Sequence, residues 1–219
     1  MAFFSYESKF SKVMMRFSQG CYLNLLWAIC SLPIVTIGAS TTALYAVALK
    51  IARDEEGDIT QQFFSALRSN FVQATQIWLI LLAIGAVLGT DIYVLTRLQA
   101  ATTGTLAIAI TIALAMVIVS CIVLAIVLMY VFPLVARVQN TNVAMIKNSF
   151  LMGTHYLFCT ICVFVIHAAM AFAIIAFFTP LAILGEGVCA ILSSYLLNPV
   201  IQVSSTDPSR MVTSGDGQS

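Results

Sequence analysis

The sequence predicts an all-α polytopic membrane protein, a bundle of transmembrane helices, and three observations support this prediction. Of the 219 residues, 61% are hydrophobic and 9% are charged, and the mean hydropathy is +1.01. Apolar runs long enough to cross a hydrocarbon core of about 30 Å recur along the chain. Basic residues gather in the segments between them. This composition excludes an ordinary soluble domain, and the length leaves room for one membrane domain, residues 1–201, without a separate catalytic domain.

The first predicted element is an amphipathic helix over residues 3–17. Its aromatic and aliphatic side chains fall on one face, opposite Lys9, Lys12 and Arg16. We expect it to lie on the cytoplasmic leaflet and to be followed directly by membrane-embedded chain, not by a signal-peptide cleavage site.

Residues 21–52 form the second predicted element, a broken hairpin with a single formal charge before Ile51. Pro33 removes a helix hydrogen bond and Gly38 frees the backbone, which predicts two short helices, 21–32 and 40–52. Basic residues flank both ends, so the chain returns to its starting side. The sequence leaves open whether the hairpin crosses or re-enters, and whether its apex lines a pore or is a buried turn. Residues predicted to cap the second helix are Ser40, Thr41 and Thr42.

Residues 54–71 are predicted to form a cytoplasmic acidic turn and an amphipathic helix. A carboxylate run of this kind suits a solvated turn at a helix N-terminus. The same segment could also be gripped by another subunit. The candidate docking residues are Asp54, Glu55, Glu56, Phe63, Phe64 and Arg68.

Four longer spans are predicted after this helix, and a polar tail follows them. Gly85 and Gly89 form a GxxxG pattern that permits close helix packing. Asp91 and Glu186 are ionisable groups within or beside spans and are therefore functional candidates. Segments 68–75 and 147–154 resemble each other, which indicates a parallel internal repeat. The predicted spans are 74–97, 105–135, 154–178 and 180–200, and the predicted disordered tail is 202–219.

No motif in the sequence supports catalysis. Nucleotide-binding loops, GxSxG elbows and HExxH motifs are absent, and neither histidine has an evident acid and nucleophile beside it. His155, Cys159 and Cys162 fall on one predicted helix face and could hold a soft metal ion, but they are better explained as interface and packing residues. We expect no enzyme activity, no metal, no cofactor and no nucleic acid partner.

Several short motifs resemble the YesL-like family of small bacterial integral membrane proteins. They are NLLW at 24–27, LPIVTIGASTTALY at 32–45, DEEG at 54–57, YVFPLVAR at 130–137 and SYLLN at 194–198. Pro199 departs from the basic residue expected there. The resemblance implies a multi-pass protein of the bacterial cytoplasmic membrane and an association with carbohydrate-uptake ABC systems, and it carries no catalytic residues.

Two functions follow from these expectations. The first is a non-catalytic accessory or assembly subunit of a carbohydrate-uptake system, contacting membrane lipid, ABC permease subunits or further copies of itself. The alternative is an autonomous secondary transporter or channel for a small solute, coupled through Asp91 or Glu186. Both place the two termini in the cytoplasm.

Overall fold

The computed structural model describes residues 9–55, 57–176 and 182–206 and is all-helical there, without a β-strand. A short 3₁₀ turn, Ile34–Thr36, separates the first two of seven α-helices. The helices are α1 (Lys9–Cys30), α2 (Ile37–Ala52), α3 (Ile59–Ala101), α4 (Thr105–Val135), α5 (Asn142–His155), α6 (Leu157–Ala176) and α7 (Ala182–Thr206).

The helix α2 is the centre of the bundle, and it packs against α1, α3, α4 and α7. Small side chains make this possible, because Ala39, Ala43 and Ala48 are fully buried and let neighbouring helices approach closely. Gly38 lies so close to the Trp78 side chain that an added Cβ would overlap Trp78 Cβ. The helix α1 also packs against α7, where Gly20 meets Val188.

Two pairs of predicted elements have different boundaries in the structure. The predicted interfacial helix 3–17 and the first hairpin helix 21–32 are continuous in α1, over the described residues. The predicted segments 54–71 and 74–97 are likewise joined in α3, a single helix of 43 residues. Both junctions contain only residues compatible with a helix and no proline, so nothing in the backbone ends the helix there.

Near the C-terminus, two further boundaries differ from the prediction. The region between the predicted spans 105–135 and 154–178 contains the helix α5, and the predicted span 154–178 begins only at α6 after a bend of 98°. The helix α7 runs to Thr206, so the predicted disordered tail 202–219 is helical in its first five residues. The remaining tail lies outside the described residues.

The proposed internal repeat gains no support from this arrangement. Residues 68–75 lie inside the uninterrupted helix α3, whereas residues 147–154 lie in α5, which ends one residue later. The two segments therefore differ in their position within a helix, and the internal repeat stays a prediction.

Three helical stretches of the described chain are long and apolar enough to cross a membrane. They are Ile34–Ala52, Ile59–Ala101 and Thr105–Val135, and the bent pair α5–α6 makes a fourth if it is counted as one span. This length and composition indicate a membrane-embedded protein.

The pair α3–α4 extends far beyond the rest of the bundle. Gly104, with a φ of 77°, makes the turn between these two helices in a conformation that favours glycine. The 3₁₀ turn lies level with Trp78, whose Nε1 donates to the Ile34 carbonyl at 2.8 Å. Roughly 23 residues of α3, about 34 Å, therefore extend past that turn. We call residues 82–125, the part of α3 and α4 beyond the bundle, the outer arm.

Candidate functional site

A cluster of titratable side chains lies inside the bundle, where α2, α6 and α7 meet. Tyr45 Oη lies 3.5 Å from His167 Nε2, and Glu186 Oε1 lies 3.9 Å from the same nitrogen. Tyr45 is 4% exposed, while about a quarter of the His167 side chain and a third of the Glu186 side chain are accessible. Three groups that can exchange protons therefore share one partly open interior position.

The backbone of α6 fixes the orientation of the His167 ring. His167 Nδ1 lies 2.9 Å from the Val163 carbonyl, and because a carbonyl only accepts, Nδ1 must donate the proton. In the neutral ring, Nε2 is then an acceptor facing the Tyr45 hydroxyl. In the imidazolium form, Nε2 becomes a donor and forms an ion pair with the Glu186 carboxylate. The geometry is compatible with both states.

Close packing of α1 on α7 holds Glu186 in this position. Asn24 Oδ1 accepts a hydrogen bond of 3.0 Å from the backbone N–H of Gly187, and an added Cβ on Gly187 would lie 2.9 Å from Asn24 Cβ. Asn24 is fully buried. The glycine beside Glu186 is therefore required for close helix contact.

The sequence identified Glu186 as a candidate but missed its partners. No acid and nucleophile were expected together beside either histidine, and the structure brings one such group, the acid Glu186, to His167, because α7 folds back along α6. The sequence did contain an indication of this pair, because two titratable residues lie within apolar segments and such residues tend to pair.

The side chains of the predicted docking segment have different surroundings: some form ion pairs, one is buried in the core and others are exposed. Asp54 pairs with Arg16, and Glu55 pairs with Arg53 at 3.0 Å. Glu56 lies outside the described residues. The two carboxylates therefore help to hold the turn between α2 and α3.

Phe63 is fully buried within the chain, so it is not accessible to a partner as the docking prediction requires. The face of α3 that carries Phe63 is turned toward α2, because helical periodicity places it with the other core positions. Phe64 is 41% exposed and Arg68 is exposed, and both remain available to a partner.

The residues of the predicted hairpin break have other roles than expected. Pro33 is extended and precedes the 3₁₀ turn, as a break requires. Gly38, however, lies inside α2, where close contact with α3 requires a glycine. The polar residues predicted as caps also lie inside α2, where Ser40, Thr41 and Thr42 bond to Ser31, Trp27 and the Gly38 carbonyl, respectively.

The glycines of the GxxxG pattern differ in their surroundings. An added Cβ on Gly85 would make ordinary contact with Leu124 of α4, at 3.6 Å, whereas one on Gly89 would meet nothing within 4 Å. Asp91 is exposed on the outer arm. The Arg97 guanidinium lies over the Tyr93 ring, 5.3 Å from its centroid, and forms no ion pair with Asp91 among the described residues.

His155, Cys159 and Cys162 do not share a helix face. The break at Tyr156 leaves His155 on α5 and both cysteines on α6, and Cys159 Sγ instead lies 3.5 Å from the Leu196 carbonyl. Within the described ranges, no three histidine, cysteine or acidic side chains are grouped as a metal site would require.

Comparison with known proteins gives one family match. Residues 21–92 match the model of a family described as "Protein of unknown function, DUF624". That region covers the second half of α1, all of α2 and most of α3, including Tyr45 but not His167 or Glu186. The chain is therefore similar to an uncharacterised family over about a third of its length, and the YesL-like name stays a prediction. No curated protein and no solved structure matches the chain.

Proposed function

We propose that the chain is a non-catalytic accessory or assembly subunit of a bacterial carbohydrate-uptake system of the ABC type. The observation that supports this proposal best is the outer arm, whose apolar surface no other described helix covers. The link to carbohydrate uptake rests on the resemblance of the sequence motifs.

The outer arm is exposed along its whole length. Among the described residues, α3 has no buried side chain after Leu81, and α4 has none before Val127. The arm is about 30 Å long from Leu81 to Ala101, and its part between Leu81 and Asp91 belongs to the uncharged run of α3. Lipid can cover such a surface, but a partner helix can as well, since helices associate in membranes through close packing.

Two features of α3 favour a partner helix on the arm. The open space at Gly89 permits another backbone to approach closely. The exposed Asp91 carboxylate ends the uncharged run of α3, and a basic side chain from another subunit would pair with it there. Phe64 and Arg68 extend the same docking surface to the cytoplasmic end of α3.

The charges of α3 support one position of this surface relative to the bilayer. No charged residue occurs between Arg68 and Asp91, which are roughly 34 Å apart along the helix. With the hydrocarbon core between them, the 3₁₀ turn at the level of Trp78 lies about 15 Å inside, near mid-depth. We therefore favour a re-entrant hairpin for α1 and α2, with its ends on the cytoplasmic side.

The test is purification of a tagged copy from native membranes in mild detergent, with mass spectrometry of the proteins that accompany it. We expect stoichiometric ABC permease subunits. Gly89→Leu should reduce their recovery, because the new side chain fills the space into which a partner helix packs, and Phe64→Ser should reduce it at the other end of the surface.

Matched controls separate docking from folding. Ala171→Leu introduces a leucine at an exposed position on α6, outside the docking surface, and Phe158→Ser removes an aromatic ring that is 82% exposed on α6. Both controls should retain the partners. Recovery of the wild-type chain alone or only as a homo-oligomer would contradict the accessory function.

The cluster of Tyr45, His167 and Glu186 favours a second candidate, an autonomous proton-coupled transporter. A carboxylic acid and an imidazole 3.9 Å apart inside a helix bundle can exchange a proton as a solute passes. Purified protein in sealed vesicles should then show solute uptake driven by a proton gradient.

Glu186→Gln would abolish this uptake, because the amide has nearly the same shape but cannot ionise. Asp91→Asn tests the other predicted coupling residue in the same assay. Uptake unchanged by both variants, or absent for sugars and small ions in vesicles with verified insertion, would count against transport.

A further inference from the structure

Three basic side chains line one cavity at the end of the bundle where α2 ends and α3 begins. The cavity has a volume of about 400 Å³ and lies between α2, α3 and the end of α4. Lys50, Arg53 and Arg137 supply its charge, and no acidic residue is part of its described lining. Uncharged hydrogen-bonding side chains of α3 complete the wall, namely Gln61, Gln62 and Ser69.

Helix ends hold the two arginines in place. Arg53 follows the last residue of α2, and its Nε donates to the Leu49 carbonyl at 3.2 Å. Arg137 follows the end of α4, and its guanidinium donates to Asn198 Oδ1 at 2.6 Å. A guanidinium has five N–H donors, so both side chains keep donors for another group.

The positive charge of the cavity is only partly balanced. Glu55 pairs with Arg53 outside the lining, at 3.0 Å, whereas neither Lys50 nor Arg137 forms an ion pair within the described residues. Burial and the nearby charge of Arg53 lower the pKa of the Arg137 guanidinium, while Glu55 acts in the opposite direction. Arg137 stays protonated at neutral pH. Lys50 and Arg137 line the same cavity without a carboxylate partner among the described ion pairs, and this arrangement favours a bound anion.

We propose that this cavity binds a phosphate group, with Arg137, Lys50 and Arg53 as its charged ligands and the α3 amides as neutral donors. Arginine matches two phosphate oxygens at once, and lysine adds a point charge. The volume is within the range of small-ligand sites and exceeds the needs of a single inorganic ion. A phosphorylated solute or an anionic lipid headgroup would both present the required chemistry.

The position of the cavity allows either source. It lies beside Ser69 and Asn70, next to Arg68, which we place at the inner edge of the hydrocarbon core. Lipid phosphates occupy this depth, and the cavity is also open to the solution on the polar face of α3. This inference goes beyond the proposed subunit function and does not depend on a transport partner.

The experiment uses the purified full chain in nanodiscs of phosphatidylcholine. One arm adds inorganic phosphate or glycerol 3-phosphate and follows binding by calorimetry. The other replaces part of the lipid with phosphatidylglycerol and follows the lipids retained by the protein in native mass spectrometry. We expect binding in one arm at least, and a loss of about tenfold in affinity for each of Lys50→Gln and Arg137→Gln.

Two variants serve as controls. Arg97→Gln removes the same charge at the other end of α3 and should leave binding unchanged, whereas Lys50→Arg should preserve it. Arg137→Gln could fail to fold, because Arg137 bonds to α7. In that case Lys50→Gln still tests the proposal, because Lys50 has no such bond among the described contacts. Binding of soluble phosphate identifies a solute site, and selective retention of phosphatidylglycerol identifies a lipid site. No binding in either arm, or equal binding by Lys50→Gln and wild type, would overturn the proposal.

Discussion

Gly38→Ala adds a single methyl group at a close contact between α2 and α3. The new Cβ would lie 2.7 Å from the Ala74 carbonyl oxygen and would overlap Trp78 Cβ. Neither atom can move by a rotamer change, because one belongs to the backbone and the other is attached to it. The Trp78 indole is also held by its hydrogen bond to the Ile34 carbonyl. The helices must therefore separate.

The cost follows from two opposing terms. Overpacking by a methylene-sized group costs about 1–3 kcal/mol, and here backbone must shift to relieve it. Replacing glycine by alanine in a helix offsets about 0.5–1 kcal/mol of this. We expect a net loss of about 1–2 kcal/mol in the free energy of unfolding.

Gly89→Ala is the matched control, because its new methyl group meets nothing within 4 Å. It keeps the helix-propensity gain without the overlap, so it should be neutral or more stable by up to about 1 kcal/mol. Reversible denaturation of both variants in the same detergent, followed by circular dichroism, measures the difference. Equal stability of the two variants would refute the assignment of Gly38 as a close-packing residue.

Three further predictions concern stability and are measured by the same unfolding assay. Phe63→Ala should lower the free energy of unfolding by about 3–5 kcal/mol because Phe63 is fully buried, whereas Phe64→Ala should change it by less than about 1 kcal/mol. Similar losses for the two variants would contradict the assigned burial. Asp58→Ala should lower the free energy of unfolding by about 1 kcal/mol, because the Asp58 carboxylate accepts two backbone N–H bonds at the start of α3. Asp58→Asn should show no such loss if capping is the cause, because asparagine also caps helices. Tyr130→Phe should cost about 0.5–1.5 kcal/mol by removing the 2.9 Å hydrogen bond to Thr160, and an unchanged midpoint would exclude that bond as a contributor.

The amino-acid sequence was sufficient for the helical membrane class and for the break near Pro33. Both depend on local properties: the length of uncharged apolar runs and the missing N–H of proline. The sequence did not predict that α1 and α3 continue without a break from their amphipathic parts into their apolar parts. A change from amphipathic to apolar composition alters the surroundings of a helix, but it does not end the helix. Gln73 and Gln76 lie at such a change in α3, and there they bond to the chain around Asn140 and Asn142.

Tertiary structure alone decided which residues meet. His167 and Glu186 are separated by 19 positions and lie on different helices, and their pairing depends on how α7 returns along α6. Lys50, Arg53 and Arg137 form one cavity only because α2 and α4 end at the same level of the bundle. Helical periodicity assigns side chains to faces of a single helix, whereas contacts between helices are set by packing, which involves residues far apart in the chain. The composition therefore determined that the protein enters a membrane, and the packing determined where its charged groups converge.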